Sequence, residues 1–298
     1  MHKRKNLSIV RNGAVGLLCA GALTVGLSGA APAEEPVAVI DSGGWDRDIT
    51  AAEDRLPLTP EVAAKSERAL RTLLVTPGVT EAVRRSAEND LRSVAAVAAR
   101  DAQVSAASST VAAAAPASRT LSITHTAQSK SYFCGPATAM MILREEGLTT
   151  SRDGKGRSLT QANLALTDYL STEANGATNW VGLHMPNGLN KWSGNNWYLA
   201  QQSPTGGQFQ GALLNTLGVN GKGVAVDTVE RAGGAHYNGH PADRLIGHWM
   251  MAYGYSSSGA KVNFADPSTS FYPNATKTFS VSTNSFTTTY LQDNGIVY

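Results

Sequence analysis

The sequence predicts an α+β domain in which one buried helix packs on an antiparallel sheet, with a helical segment ahead of it. Three observations carry that prediction. Residues 134–147 read CGPATAMMILREEG, apolar on nearly every side, with a proline suited to a first helical turn and a glycine suited to a stop. Residues 247–267 read GHWMMAYGYSSSGAKVNFADP, two β-rich runs about a Ser/Gly turn. Residues 59–98 carry helix starts and helical apolar spacing twice over.

At the N-terminus, Lys3, Arg4, Lys5 and Arg11 precede a Gly/Ala/Leu/Val run over residues 13–29, then Ala31-Pro32-Ala33. These are the basic region, apolar region and small-residue cleavage site of a secretory signal peptide, so residues 1–33 are expected to be removed on export. The protein is expected to be secreted, either extracellular or in the cell envelope. An uncleaved anchor is the alternative, and the short Gly- and Ala-rich run speaks against it. Four of the 25 basic residues and none of the 23 acidic ones lie in this segment, so its loss takes the net charge from +2 to −2. The mature chain therefore shows no polybasic footprint for nucleic acid or anionic lipid, and no later run is apolar enough to span a bilayer. Cys19 leaves with the signal. Cys134 remains as a free thiol, a bridge between chains or a nucleophile.

Residues 34–57 show no clear period and read as an extended lead-in. Thr59, Pro60 and Glu61 start a helix to about Val75; Thr76-Pro77-Gly78 breaks it, and Thr80-Glu81 starts a second with Val83, Ala87, Leu91, Val94 and Ala98 on its apolar face. This hairpin has a narrow, Ala-rich stripe and needs another surface. Residues 105–118 are a Ser/Ala/Pro linker that divides a helical region, 34–104, from a second domain, 119–298. The first part is net acidic and the second net basic, compatible with either a removable propeptide docked on the second domain or a spacer.

Beyond the 134–147 helix, Asp153-Gly154-Lys155-Gly156 reads as a turn, since a calcium loop needs more alternating carboxylates. Ser158 and Gln161 have capping-box spacing and open a helix through Leu170. Residues 171–206 read as a long irregular loop holding Trp180, Trp192 and Trp197, walling a cleft or packing on the core. A short helix over 209–217 and a strand over 224–226 follow, then the β-rich hairpin and one or two C-terminal strands.

The chemistry gathers at Cys134. A thiol in the first turn of a helix faces unpaired backbone N–H groups and the positive end of the macrodipole, both of which favour thiolate. Of the five histidines outside the signal, only His248 lies in an expected strand. Folding that hairpin about Ser257 sets Asp266 directly opposite His248, on one face of the sheet with Cβ atoms roughly 4.5–5.5 Å apart. A carboxylate so placed fixes the imidazole tautomer and stabilises imidazolium, the orienter's part in a nucleophile, base and acid set. His236 and His240, with Asp243 or His248, invite a metal reading. Four-residue spacing aligns two imidazoles only on a helix, and Asn238-Gly239 marks a turn, so neither a metal nor an organic cofactor is expected.

The order Gln128, Cys134, His248, Asp266 resembles the papain-like cysteine peptidases. The phrases Tyr132-Phe133-Cys134-Gly135-Pro136-Ala137, Gly247-His248-Trp249 leading to Gly254-Tyr255, and Ala265-Asp266-Pro267 resemble the bacteriocin-processing (double-glycine leader) peptidases, more closely that family's secreted single-domain relatives. The resemblance covers residues 119–298 and implies a papain-like fold. It also implies Cys134 as nucleophile, His248 as base and later acid, Asp266 as orienter, and Gln128 with the Cys134 backbone N–H as oxyanion donors. The leader peptidases precede membrane and nucleotide-binding parts that this chain lacks, so double-glycine cleavage is not carried over. The expected activity is hydrolysis of peptide or amide bonds in a peptide or protein substrate. Two rivals are an amidase or transpeptidase acting on cell-wall peptides through the same thioester, and a peptide-binding module that does no catalysis.

Overall fold

A computed structural model describes residues 55–98 and 113–298. The signal-peptide reading, most of the lead-in and residues 105–112 of the linker lie outside the described residues. In chain order the elements are helices α1 (Pro60–Val75) and α2 (Glu81–Ala98), strand β1 (Arg119–Thr120), helices α3 (Cys134–Glu145), α4 (Gln161–Leu164), α5 (Thr172–Asn175) and α6 (His184–Ser193), and strand β2 (Ala200–Gln202). Helix α7 (Gly206–Ala212) runs on into a π-helical stretch, Leu213–Val219. Strands β3 (Val224–Glu230), β4 (Ile246–Ser256) and β5 (Lys261–Ala265) follow, then a 3-10 turn (Pro267–Ser270), β6 (Thr278–Ser282), α8 (Thr283–Tyr290) and β7 (Gly295–Val297).

The strands form one antiparallel sheet in the order β2-β7-β3-β4-β5-β6, with β1 paired to the far end of β4. Every residue of β3 is buried, as is most of β4, because helices cover both faces. On one face Trp249 stacks on Trp180 with ring centroids 5.8 Å apart, and the Thr138 hydroxyl of α3 donates to the Trp249 carbonyl at 3.0 Å. On the other, Thr228, His248 and Phe264 lie against Tyr237, Phe279 and Phe286.

The β4/β5 register differs from the sequence expectation. Four residues, 257–260, form the turn, and a bulge between Ala252 and Gly254 absorbs one more, so Met251 faces Ala265. Continuing that register puts Asp266 across from Met250, and His248 is paired to Thr228 of β3. The offset from the expected pairing is two residues, which preserves the face, so His248 and Asp266 become diagonal neighbours.

Three local expectations change for identifiable reasons. Residues 171–206 are not one irregular loop but contain α5 and α6, and Trp180 and Trp192 are buried in the core. The capping box at Ser158 is replaced by a Thr160 cap on α4, whose side chain accepts from the Asn163 N–H. That frees Gln161 to bind the Ser129 N–H and the Ala127 carbonyl. Finally, the C-terminus supplies two strands, β6 and β7, as expected, but the Thr-rich residues between them form α8, where Phe286 packs on Phe264 and Tyr237 and overrides weak helix propensity.

Thr59 caps α1 and Pro60 occupies its first position. The α1/α2 hairpin finds the surface it needs on α7 and the π-helical stretch. Ala69, Leu70 and Leu73 join Phe209, Leu213 and the sheet residues in one continuous core. The approach is close: a Cβ on Gly211 would lie 2.8 Å from the Ala69 carbonyl oxygen. Hairpin and sheet belong to the same compact unit. We expect Leu70→Ala to cost about 2–5 kcal/mol. In urea denaturation followed by helix and tryptophan signals together, the midpoint should fall in both signals alike; a separate early transition for the hairpin would contradict a shared core.

Candidate active site

Cys134 is the first residue of α3 and, among the described residues, the one cysteine; it is buried at 4% exposure. Its helix can sit this deep because residue 135 is glycine. A Cβ there would stand 2.1 Å from the Thr178 hydroxyl oxygen. Thr178 is itself held, its carbonyl accepting from the Trp249 indole N–H at 2.8 Å and its hydroxyl bonded to that of Thr172. The thiol shares a narrow cleft with Gln128, Ser131, Tyr132, Ile246, Gly247, His248 and Tyr272. No hairpin residue lines that cleft, so the described hairpin does not cover the thiol.

His248 projects from the middle of the sheet and is 3% exposed. Its Nε2 lies 2.9 Å from Asp266 Oδ1, which leaves Nδ1 for the Cys134 sulfur. Burial alone would strip the ring of its proton, but the Asp266 charge and hydrogen bond, then Cys134, outweigh it and push the pKa up to about 10.

Asp266 follows β5 with extended backbone and caps the 3-10 turn. Its backbone is pinned on both sides: its N–H donates to the Lys277 carbonyl at 3.0 Å, and its carbonyl oxygen meets His125 Nε2 at 2.7 Å. Oδ1 takes His248 and the Ser268 backbone N–H at 2.8 Å; Oδ2 takes the Asn238 amide at 2.6 Å and His240 Nε2 at 3.0 Å. Burial pushes such an acid towards neutrality, yet His248 and His240 hold it well below the usual carboxylate range.

Gln128 lines the cleft where the sequence placed it, but its amide points elsewhere. Both N–H groups are engaged, by the Ser131 carbonyl at 2.7 Å and the Lys130 carbonyl at 3.0 Å, while Oε1 is buried without a partner. The loop carrying it is braced by Gln161 and by the Gln128 N–H, which donates to the Pro267 carbonyl beside Asp266.

The histidines weighed as metal ligands separate. His236 turns its ring nitrogens to the Gly234 and Arg244 carbonyls, whereas His240 stands in the Asp266 cluster. The donor atoms of His240, His248 and Asp266 lie within 4.8 Å of one another. Both imidazoles already spend a nitrogen on the one carboxylate, so the arrangement is a hydrogen-bonded chain of imidazoles and carboxylate. Sequence reasoning missed the pairing of His240 with Asp266; nothing in the GGAHYNGHP loop signals which way that ring turns. Tyr272, also missed, lines the cleft with a buried hydroxyl that has no partner.

With that geometry in place, the family match is informative: a model of the Peptidase_C39 like family matches residues 120–297. The chain belongs to that family. It is thus a cysteine peptidase, a mixed fold of helices on an antiparallel sheet with a helical segment before the family domain. Two solved structures are similar to it, each with a TM-score of 0.35. A mutant fragment of prointerpain A from Prevotella intermedia is 13% identical, over 61% of this chain and 72% of that one. Xylellain, a cysteine protease from Xylella fastidiosa, is 12% identical, over 62% of this chain and 86% of that one. No curated protein matches the chain.

The His248–Asp266 pair makes a pH prediction. The folded pKa of His248, about 10, exceeds the roughly 6.5 of an unfolded histidine. Its contribution to stability is therefore complete below about pH 6.5 and lost as pH rises through about 10. In Asp266→Asn the imidazolium loses its counter-charge. An NMR titration should then show His248 releasing its proton at least one pH unit lower; an unchanged titration would mean the pair is not coupled.

Proposed function

We propose that this peptidase acts as an exported enzyme that cleaves peptide or amide bonds through Cys134, His248 and Asp266. The observation that carries the reading is the buried line from the Cys134 sulfur through His248 to Asp266, with the His248–Asp266 hydrogen bond at 2.9 Å. The signal-like residues 1–33 support export.

The Cys134 sulfur attacks the scissile carbonyl carbon as a thiolate, with His248 already protonated on the nitrogen facing it. Negative charge moves to the carbonyl oxygen. The backbone N–H of Cys134, in the first helical turn without an intrahelical acceptor, donates to it. Gln128 supplies the second donor by releasing one amide N–H from the longer of its bonds, that to Lys130. As the carbonyl reforms, the C–N bond breaks and the His248 proton passes to the departing amine, leaving a thioester. Water then attacks that thioester while His248 takes one of its protons, and the C–S bond breaks to return thiolate and imidazolium. Asp266 holds the ring in one tautomer throughout and is not itself protonated.

Replacing Cys134 by Ala should lower peptide turnover by at least about 10³-fold with the thermal midpoint within a few degrees of the parent. Gln128→Ala should lower kcat by about 10²-fold, the usual cost of one oxyanion donor. Turnover of a casein or peptide-library substrate, with mass spectrometry after brief iodoacetamide treatment, reads both effects. Undiminished turnover in Cys134→Ala would end the assignment.

A further inference from the structure

Beyond Asp266 the buried line does not stop. His240 carries it on, with Nε2 at 3.0 Å from Asp266 Oδ2 and Nδ1 at 2.6 Å from Glu230 Oε1. The side chains of His240, Asp266 and Glu230 are all fully excluded from solvent. Glu230, the last residue of β3, accepts the Tyr237 backbone N–H on its other oxygen at 3.1 Å. The remaining groups around the ring are His248 from β4, Ser268 from the 3-10 turn, Tyr272 just past that turn, and Tyr237 from the same loop as His240.

An imidazole whose two nitrogens both face carboxylate oxygens presents a proton count. Neutral imidazole has one N–H and one lone pair, and that lone pair would point at a carboxylate. Ser268 Oγ, 3.0 Å from Nε2, offers its hydroxyl as a donor to a neutral ring. It would leave Asp266 Oδ2 facing a nitrogen lone pair at the same 3.0 Å, inside the protein, where such repulsion is not screened. Two protons on the ring satisfy both carboxylates. They also give the cluster a second cation against two buried acids, where His248 alone leaves one acid uncompensated. In the same direction, burial lowers the proton affinity of His240 but its bonds to Asp266 and Glu230 raise it above the ordinary histidine value.

We propose that His240, held as an imidazolium by Glu230, is a positioning residue for the peptidase reaction: it occupies one oxygen of Asp266 and so fixes the other on His248. The active line then has five members, Cys134, His248, Asp266, His240 and Glu230. Without the His240 bond the Asp266 carboxylate keeps the Asn238 amide on Oδ2 and the Ser268 N–H on Oδ1 but loses its one cationic partner on Oδ2, so its plane is held less firmly and His248 less closely in tautomer and angle. Substrate does not touch His240 or Glu230, so the loss falls on kcat and leaves KM. The inference rests on the proposed roles of Cys134, His248 and Asp266, and the experiment separates the two.

The experiment uses the full chain and three variants, Glu230→Gln, His240→Gln and Cys134→Ala. Selective ¹⁵N-histidine NMR of the parent at pH 7.5 should show one ring, absent from the His240→Gln spectrum, with both nitrogens protonated. In Glu230→Gln, which preserves size and hydrogen-bonding reach, that ring should become neutral. Peptide turnover should fall about tenfold in kcat, with KM within about twofold. A neutral His240 in the parent would overturn the proposal even if Cys134 proves to be the nucleophile, as would a Glu230→Gln enzyme with parental kcat. Failure of the catalytic assignment reads differently, as turnover surviving in Cys134→Ala. If Glu230→Gln does not fold, the parent spectrum still decides, because a merely structural histidine has no need of two ring protons.

Discussion

Everything in the cleft depends on the burial of one carboxylate. A fully buried acid persists as an anion only when donors surround it, and Asp266 collects four of them from distant parts of the chain: His248 on β4, Asn238 and His240 on the 231–245 loop, and the N–H of Ser268. Satisfying it obliges that loop to fold back over the end of β5. The turn that does so is Asn238-Gly239, both with positive φ, and Gly239 runs so close to Asn274 that a Cβ would lie 2.5 Å from the Asn274 carbonyl oxygen. Asn238 also accepts from the Thr276 N–H and hydroxyl, which binds the loop to the segment before β6. The electrostatic need of one side chain thus accounts for the path of a long loop without regular structure.

Where local chemistry alone decides, the sequence was readable. The start and stop of α3, the caps of α1 and α2, and the two strands around residues 257–260 each follow from neighbours within a few positions, and together they bring Cys134, His248 and Asp266 into one argument. The expected register was two residues off, because neither the four-residue turn nor the bulge at Ala252 and Gly254 leaves a mark in composition. The face was right because the period of a strand is two and the error was even. Glu230 closes a strand, where a charged residue ordinarily meets solvent, and His240 lies 26 residues before Asp266 in a Gly-rich loop; their meeting depends on the loop's tertiary path. The amide of Gln128 shows the same limit at finer scale, since position in the chain placed the residue in the cleft and said nothing of which carbonyls its N–H groups would find.

The helical hairpin and α3 reach the core by the same device. At Gly211 a backbone meets the backbone of α1, and at Gly135 the helix meets Thr178; any side chain at either glycine would hold the partners apart. Close contact of this kind transmits position with little slack. Thr178 in turn fixes the Trp249 indole, whose own carbonyl receives Thr138 of α3. Residue 249 adjoins His248 in β4, so the placement of the Cys134 helix and that of the His248 strand are set by one short chain of contacts.

A line of buried alternating charges is a poor way to gain stability, since apolar residues of equal volume do as well or better. Its advantage lies in how tightly each member holds the next. For the mechanism proposed above, that grip would pose a difficulty, because an imidazolium with a pKa near 10 gives up its proton reluctantly to a departing amine. The proposed chemistry would itself supply the release. Part of what holds the proton on His248 is its hydrogen bond to, and charge interaction with, the Cys134 sulfur. A sulfur bonded to the carbonyl carbon would no longer offer that charge, and this part of the hold would disappear, while Asp266, still anchored from behind, would keep the ring aimed. On that proposal the proton affinity of His248 would fall at the step where the proton must leave and rise again when the thioester breaks.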